Sequence, residues 1–161
     1  TLVDGPAHLV SNLPYNVGTA LLIKWLTGPW SPASMTLMFQ KEVAERLAAG
    51  PGVKNYGRLS IITQWLCDVR HEFNVSKQAF TPPPKEASSV ISLIPRPAPL
   101  APVDWETLEK VTALAFGQRR KMLRASLKPL DLNFEALGIE PTARAEELSV
   151  EQFCSIARTT G

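Results

Sequence analysis

Apolar positions recur with two different spacings along this chain, and the switches between them mark its elements. The run Ala7-His8-Leu9-Val10 leads into Ser11-Asn12-Leu13-Pro14-Tyr15 and reads as a strand over 8–11. Over 17–26, Ala20, Leu21, Ile23, Trp25 and Leu26 follow helical spacing with Lys24 as the one charge, which predicts a mostly buried helix. Met35-Thr36-Leu37-Met38-Phe39 predicts a buried strand. The helix expected over 40–49 gathers Val43, Ala44 and Leu47 on one face, and Glu42 pairs with Arg46 four residues on. A Gly/Pro loop over 50–57 precedes a helix over 58–69, whose apolar side is Leu59, Ile62, Trp65 and Leu66. A half-exposed strand over 70–75, a proline loop over 79–85 and a β-branched strand over 88–94 complete this part.

Beyond residue 94 the strand signals stop. Pro95-Arg96-Pro97-Ala98-Pro99-Leu100-Ala101-Pro102 reads as a polyproline linker. Asp104 is placed to cap a helix from Trp105, with Leu108, Val111, Ala115, Leu123 and Leu127 as its apolar positions and Pro129 as its end. A short helix over 131–137 closes on Gly138, and Ser149 with Gln152 forms a capping box for a helix over 149–157. The expected organisation is an α/β part over 1–97 and a small all-α part over 98–161.

Composition narrows the classes. With 161 residues, 45% hydrophobic and 20% charged, the chain suits one good globular core and excludes a disordered one. No apolar run approaches the ~20 residues of a membrane span. Cys67 and Cys154 fall in apolar, helix-like patterns and read as buried thiols in a reducing compartment, not as a disulfide framework. Two distant histidines and no CxxC or HxxxH spacing argue against a metal site. The net charge of +2 does not discriminate between partners.

Three constellations could carry chemistry. The turn after the first strand lies where open α/β sheets bind ligands. Pro14 fixes its own φ and pushes Leu13 toward an extended conformation. The Leu13 carbonyl and the Asn12 amide oxygen can then converge on a planar amine donor such as the exocyclic NH2 of adenine, and Tyr15 offers a stacking face. The same residues would equally suit a strand-ending turn with a buried Tyr. Phe80, at the head of Thr81-Pro82-Pro83-Pro84-Lys85, is either a core anchor or the second wall of a base sandwich with Tyr15. The run Gln118-Arg119-Arg120-Lys121-Met122-Leu123-Arg124-Ala125-Ser126-Leu127-Lys128 holds five basic residues and no acid. On one helix, Arg120, Lys121, Arg124 and Lys128 would share a face suited to phosphates or simply to water. Tyr56, Arg58 and Lys85 are weaker candidates for contacts to a nucleic-acid backbone.

Taken together, these stretches resemble the adenine dimethyltransferases of small-subunit ribosomal RNA, relatives of the erythromycin-resistance methylases. The resemblance rests on Asn12-Leu13-Pro14-Tyr15-Asn16, Gln40-Lys41-Glu42-Val43-Ala44-Glu45-Arg46-Leu47 and Tyr56-Gly57-Arg58-Leu59-Ser60. It continues through Ala79-Phe80-Thr81-Pro82-Pro83-Pro84-Lys85, Ala115-Phe116-Gly117-Gln118-Arg119-Arg120-Lys121, Arg144-Ala145-Glu146 and Leu148-Ser149. Glu86-Ala87 departs from the Val-Asp usual after the Lys. No Gly-rich donor loop precedes Asn12, so the chain looks like the C-terminal half of a Rossmann-like class I methyltransferase sheet followed by helices.

The resemblance implies N6,N6-dimethylation of two adjacent adenosines in 16S RNA, with S-adenosylmethionine as donor, no metal, and the immature small ribosomal subunit as cytoplasmic partner. It implies catalytic roles for Asn12, Leu13, Pro14, Tyr15 and Phe80, with Asn12 alone of the usual donor contacts. It implies RNA contacts at Arg119, Arg120, Lys121, Arg124, Lys128, Arg58 and Lys85. Two alternatives stand beside it: a non-catalytic RNA-binding fragment, and a DNA adenine N6-methyltransferase. The strand over 8–11, having lost its usual inner neighbour, is expected to keep one partner strand and to invite self-association at its other edge.

Overall fold

The computed structural model describes residues 5–14, 17–29 and 32–160. By compactness the chain divides into two units, one of residues 1–48 and 66–97, the other of residues 49–65 and 98–161. A break at the proline linker alone would leave 49–65 with the first part. Their apolar side chains, Tyr56, Ile61, Ile62 and Trp65, are instead buried within the second unit.

The first unit is a four-stranded sheet in the order β1-β2-β4-β3. β1 (His8–Asn12) runs parallel to β2 (Ser34–Gln40), and α1 (Gly18–Thr27) lies between them in sequence. β4 (Ser88–Pro95) is antiparallel to β2 and to β3 (Cys67–Val75). One sheet face is the core: Met35, Leu37, Phe39, Ile91 and Leu93 are buried, and α2 (Lys41–Ala48) packs there with Ala44 and Leu47 inward. On the other face Val10 is 75% exposed, Phe73 57% and Ile94 47%, while Thr36, Met38, Val90 and Ser92 are half-buried.

The strand over 8–11 keeps one partner, as expected: β1 pairs with β2 alone and lies at the edge of the sheet, its side chains alternating between exposed and half-buried. Two expectations change here. The helix over 17–26 was expected to be mostly buried, yet in α1 only Gly18 and Leu22 are. The helix over 58–69 stops at Leu66 in α3 (Arg58–Leu66), and Cys67 opens β3. Cys67, Asp68 and Val69 pair with Pro95, Ile94 and Leu93, so ladder bonds to β4 replace the last helical turn.

The second unit is helical. α4 (Trp105–Gly117) and α7 (Val150–Thr160) form its centre through Leu108, Val111, Ala115, Phe153, Ile156 and Ala157. The expected caps are present: Asp104 Oδ2 accepts from the Thr107 N–H at 3.2 Å, and Ser149 and Gln152 exchange bonds at 2.9 and 3.2 Å. Trp65 stacks on Trp105 and donates its indole N–H to the Ala101 carbonyl at 2.7 Å. The short helices α5 (Leu123–Ser126) and α6 (Phe134–Leu137) complete it, the latter closed by Gly138 at φ 66°.

Candidate functional site

The strand ends bring the first constellation together. Asn12 ends β1 opposite Met38, Gln40 ends β2 opposite Ser88, and Ser88 begins β4 opposite Val75, where β3 ends. The turn after β1 and the loop 76–87 therefore leave the same end of the sheet. With neighbouring strands ~4.8 Å apart, the turn's root on β1 lies two strands, about 10 Å, from the loop's root on β4 and three strands, about 14 Å, from its root on β3.

The turn itself is held on both sides. The Leu13 N–H donates to the Met38 carbonyl at 3.4 Å, and the Leu13 side chain is buried. The Pro14 carbonyl accepts from Val17 and Gly18 at 3.3 and 3.0 Å and so begins α1. Gly18 permits this closeness, since a Cβ there would stand 3.3 Å from Leu13 Cβ and from the Phe39 ring. Asn12 and Pro14 are exposed, and among the described residues nothing donates to the Asn12 side chain or to the Leu13 carbonyl. Two unpaired acceptors on a pinned backbone can receive the two hydrogens of an aromatic amine. Tyr15 lies outside the described residues.

Phe80 follows a 3-10 turn (Lys77–Ala79) that Ser76 caps, and it is half-buried. Its N–H donates to the Lys77 carbonyl at 3.4 Å. Lys85 is exposed in the same loop. A further tie fixes the loop's far end, where the Lys41 N–H donates to the Ala87 carbonyl at 2.9 Å.

The basic run is rebuilt by the second unit. It is not one helix: α4 stops at Gly117, a turn follows, and α5 begins at Leu123. Lys128 opens a separate 3-10 turn (Lys128–Leu130). The expected single face of Arg120, Lys121, Arg124 and Lys128 does not exist. Tertiary bonds cause the break, because Leu123 and Arg124 donate their N–H groups to the Ala143 and Pro141 carbonyls at 2.8 and 3.0 Å. Met122 forms a bridge with Arg144. The cations remain exposed all the same, and among the described residues none of Arg120, Lys121, Arg124 and Lys128 has an acidic partner.

Arg119 differs from its neighbours. Its guanidinium donates to the Lys54 carbonyl at 2.5 Å and to Glu146 at 3.2 Å, and it lies 5.7 Å from the Phe116 ring centroid. Arg58 pairs with Glu109 at 3.7 Å, both half-exposed. Tyr56, read as a weak surface candidate, is fully buried. Its hydroxyl donates to the Leu148 carbonyl at 2.6 Å, and burial, reinforced by Glu151, pushes its pKa well above the ordinary value. It anchors the core and touches no ligand surface. Arg144 was missed as a cation of the patch, since only its bridge to Met122 brings it beside the run. Among the described residues no cluster of three or more His, Cys, Asp and Glu could hold a metal, and no helix is long and apolar enough to cross a membrane.

Comparison with known proteins fits this geometry. A family model described as ribosomal RNA adenine dimethylase matches residues 5–160. Ribosomal RNA small subunit methyltransferase A of Paramagnetospirillum magneticum is 60% identical over 161 residues, covering 98% of this chain and 57% of the relative. The protein of the same name from Rhodospirillum rubrum is 59% identical over 160 residues, covering 98% and 56%. A dimethyladenosine transferase from Plasmodium falciparum has a crystal structure similar at a TM-score of 0.83 and 26% identity, covering 97% of this chain and 67% of that one. The chain thus spans little more than half the length of the curated relatives it matches. With a turn that presents two acceptors at the sheet end and a family match over nearly every residue, the chain belongs to the ribosomal RNA adenine dimethylase family.

Proposed function

We propose that this chain supplies the adenine-binding and RNA-facing part of an S-adenosylmethionine-dependent enzyme that dimethylates N6 of two adjacent adenosines in small-subunit ribosomal RNA. The observation that carries the reading is the pair of acceptors at Asn12 and Leu13, without a donor among the described residues, on a Leu13–Pro14 backbone tied to β2 and to the start of α1. Adenine's N6 lone pair is delocalised into the ring and is a poor nucleophile. Holding both of its hydrogens on Asn12 Oδ1 and the Leu13 carbonyl favours a pyramidal nitrogen, whose lone pair is freer to react. Stacking on Tyr15 and Phe80 would then fix the base, and positioning supplies most of the remaining rate. After the first methyl one hydrogen is left, so the site must accept a methyl group at one of the two acceptors.

A second reading is a non-catalytic RNA-binding piece, favoured by the exposed cations Arg120, Lys121, Arg124 and Lys128, none of which has an acidic partner among the described residues. Calorimetry with S-adenosylmethionine separates the two: measurable affinity supports the enzyme, none supports the binding piece.

In this proposal Arg120, Lys121, Arg124, Lys128 and Arg144 meet RNA phosphates. Arg58 and Lys85 add weaker contacts, and Arg119 supports the patch. The partner is the immature small ribosomal subunit in the cytoplasm, and the open edge of β1 allows a second copy to pair. The test is the product. A restored full-length protein carrying these residues, given unmodified small-subunit RNA and donor, should yield N6,N6-dimethyladenosine on mass spectrometry of the digested RNA. Methylation at another base or another nitrogen would overturn the reading.

A further inference from the structure

The turn that breaks the basic run leaves an open hollow of about 370 Å3, lined by Phe116, Gly117, Gln118, Arg119, Arg120 and Lys121. Its parts are unlike those of a plain solvated turn. Phe116 is half-buried, met edge-on by Tyr56 at 6.2 Å and by the tilted ring of Phe153 at 5.6 Å, so the ring cannot swing away. The Arg119 guanidinium beside it is fixed by Lys54 and Glu146 and presents a flat, pre-ordered cation. Gly117 leaves the space empty: a Cβ there would meet nothing within 4 Å. The last turn of any α-helix also ends in carbonyls without intrahelical donors, and here that is the end of α4. Beside this flat, acceptor-bearing hollow stand Arg120 and Lys121, exposed and without acidic partners among the described residues.

We infer that this hollow is a subsite for one unpaired nucleotide of the bound RNA, its base against Phe116 and Arg119 and its phosphate on Arg120 and Lys121. The inference rests on the RNA-binding reading above and sharpens it. A phosphate contact alone needs only the exposed cations. An aromatic ring and a guanidinium plane held in place are what an unstacked base requires, and the helix-end carbonyls can accept from its amino group. A continuous duplex offers no such base, because its bases are stacked on one another. The surface therefore selects RNA carrying a bulge or loop nucleotide over a plain helix of the same charge.

The test uses the full chain and two RNA hairpins, one fully paired and one identical except for a single bulged adenosine. The bulged hairpin should bind about tenfold more tightly, as one base stacked on an aromatic face would give. Gly117→Leu fills the hollow without touching a cation. It should abolish that preference while leaving affinity for the paired hairpin, and its salt dependence, unchanged. Equal binding of the two hairpins, with both weakened by Arg124→Gln, would overturn the subsite and leave the RNA-binding reading standing. A preference for the bulge that survives Gly117→Leu would also overturn it. Failure of both hairpins to bind would remove both readings together. Thermal unfolding of Gly117→Leu alongside the parent confirms that the variant is folded, and a second filling variant, Gly117→Val, must give the same loss of preference.

Discussion

Arg119 and Arg124 stand five residues apart in one basic run, yet their surroundings differ. The first donates to a carbonyl and a carboxylate, while the second has no acidic partner among the described residues. Salt should tell them apart. If Arg124 meets a phosphate, Arg124→Gln should flatten the log–log salt dependence of single-stranded RNA binding by about 0.7. Arg119→Gln should leave that slope unchanged and instead lower stability by about 1–2 kcal/mol, the loss of charged hydrogen bonds. Equal flattening by both would mean that Arg119 also reaches RNA. The two buried thiols give a second residue-scale prediction. Burial pushes Cys67 up to about 12 and Cys154 up to about 11, so both ionise more readily in the unfolded chain. The stability this represents is fully present below the unfolded thiol pKa and is lost as pH rises through the folded values. The urea midpoint should hold steady to about pH 8.5 and then fall between about pH 9 and 12. Cys67→Ala and Cys154→Ala should each make the fall shallower, and an unaltered fall in both variants would assign it to other groups. Tyr56 shows what pattern reading loses at this scale. A Tyr in a Gly/Pro loop looks exposed, and only the distant Leu148 carbonyl makes it an interior residue.

The elements that matched expectation are those whose signals are local. The helix starts at Asp104 and Ser149 are read from side chains that bond within three residues, and both caps are present. The mismatches occur where distant backbone decides the local outcome. Residues 118–128 are good helix formers at helical spacing, yet α4 ends because Leu123 and Arg124 give their N–H groups to residues 143 and 141. Gly117 was the one local hint. Likewise nothing in Trp65-Leu66-Cys67 announces a change of state, and β3 starts there because β4 supplies its ladder. β1 carries the element-scale prediction. Its pairing with β2 was legible, but its second edge has no partner among the described residues and Val10 is 75% exposed. Proteins usually blunt such an edge with charge, proline or a bulge, and His8-Leu9-Val10-Ser11-Asn12 has none within it. Sedimentation of the chain over a concentration series should therefore show self-association, with the β1 amides that are not bonded to β2 exchanging slowly only at high concentration. A monomer at all concentrations with those amides already protected would contradict this.

At the scale of the whole molecule, two compact units carry the two halves of the proposed activity: acceptors for a base on the sheet, cations and an aromatic hollow on the helices. By compactness the second unit takes in residues 49–65 as well as 98–161, and no local composition shift near residue 49 announces it. The proposed base site rests on the consecutive residues Asn12-Leu13-Pro14, whereas the proposed helical patch depends on bridges such as Met122 with Arg144, which no local pattern announces. The central claim is that the turn after β1 binds the reacting amine, and one substitution addresses it. In a restored full-length protein, Asn12→Ala removes one acceptor from N6 in a dry site, a loss of about 1–3 kcal/mol. Turnover on small-subunit RNA under saturating donor should fall by about tenfold to a hundredfold, with RNA affinity and its salt slope unchanged. Methylation by Asn12→Ala at the parent rate would contradict the account.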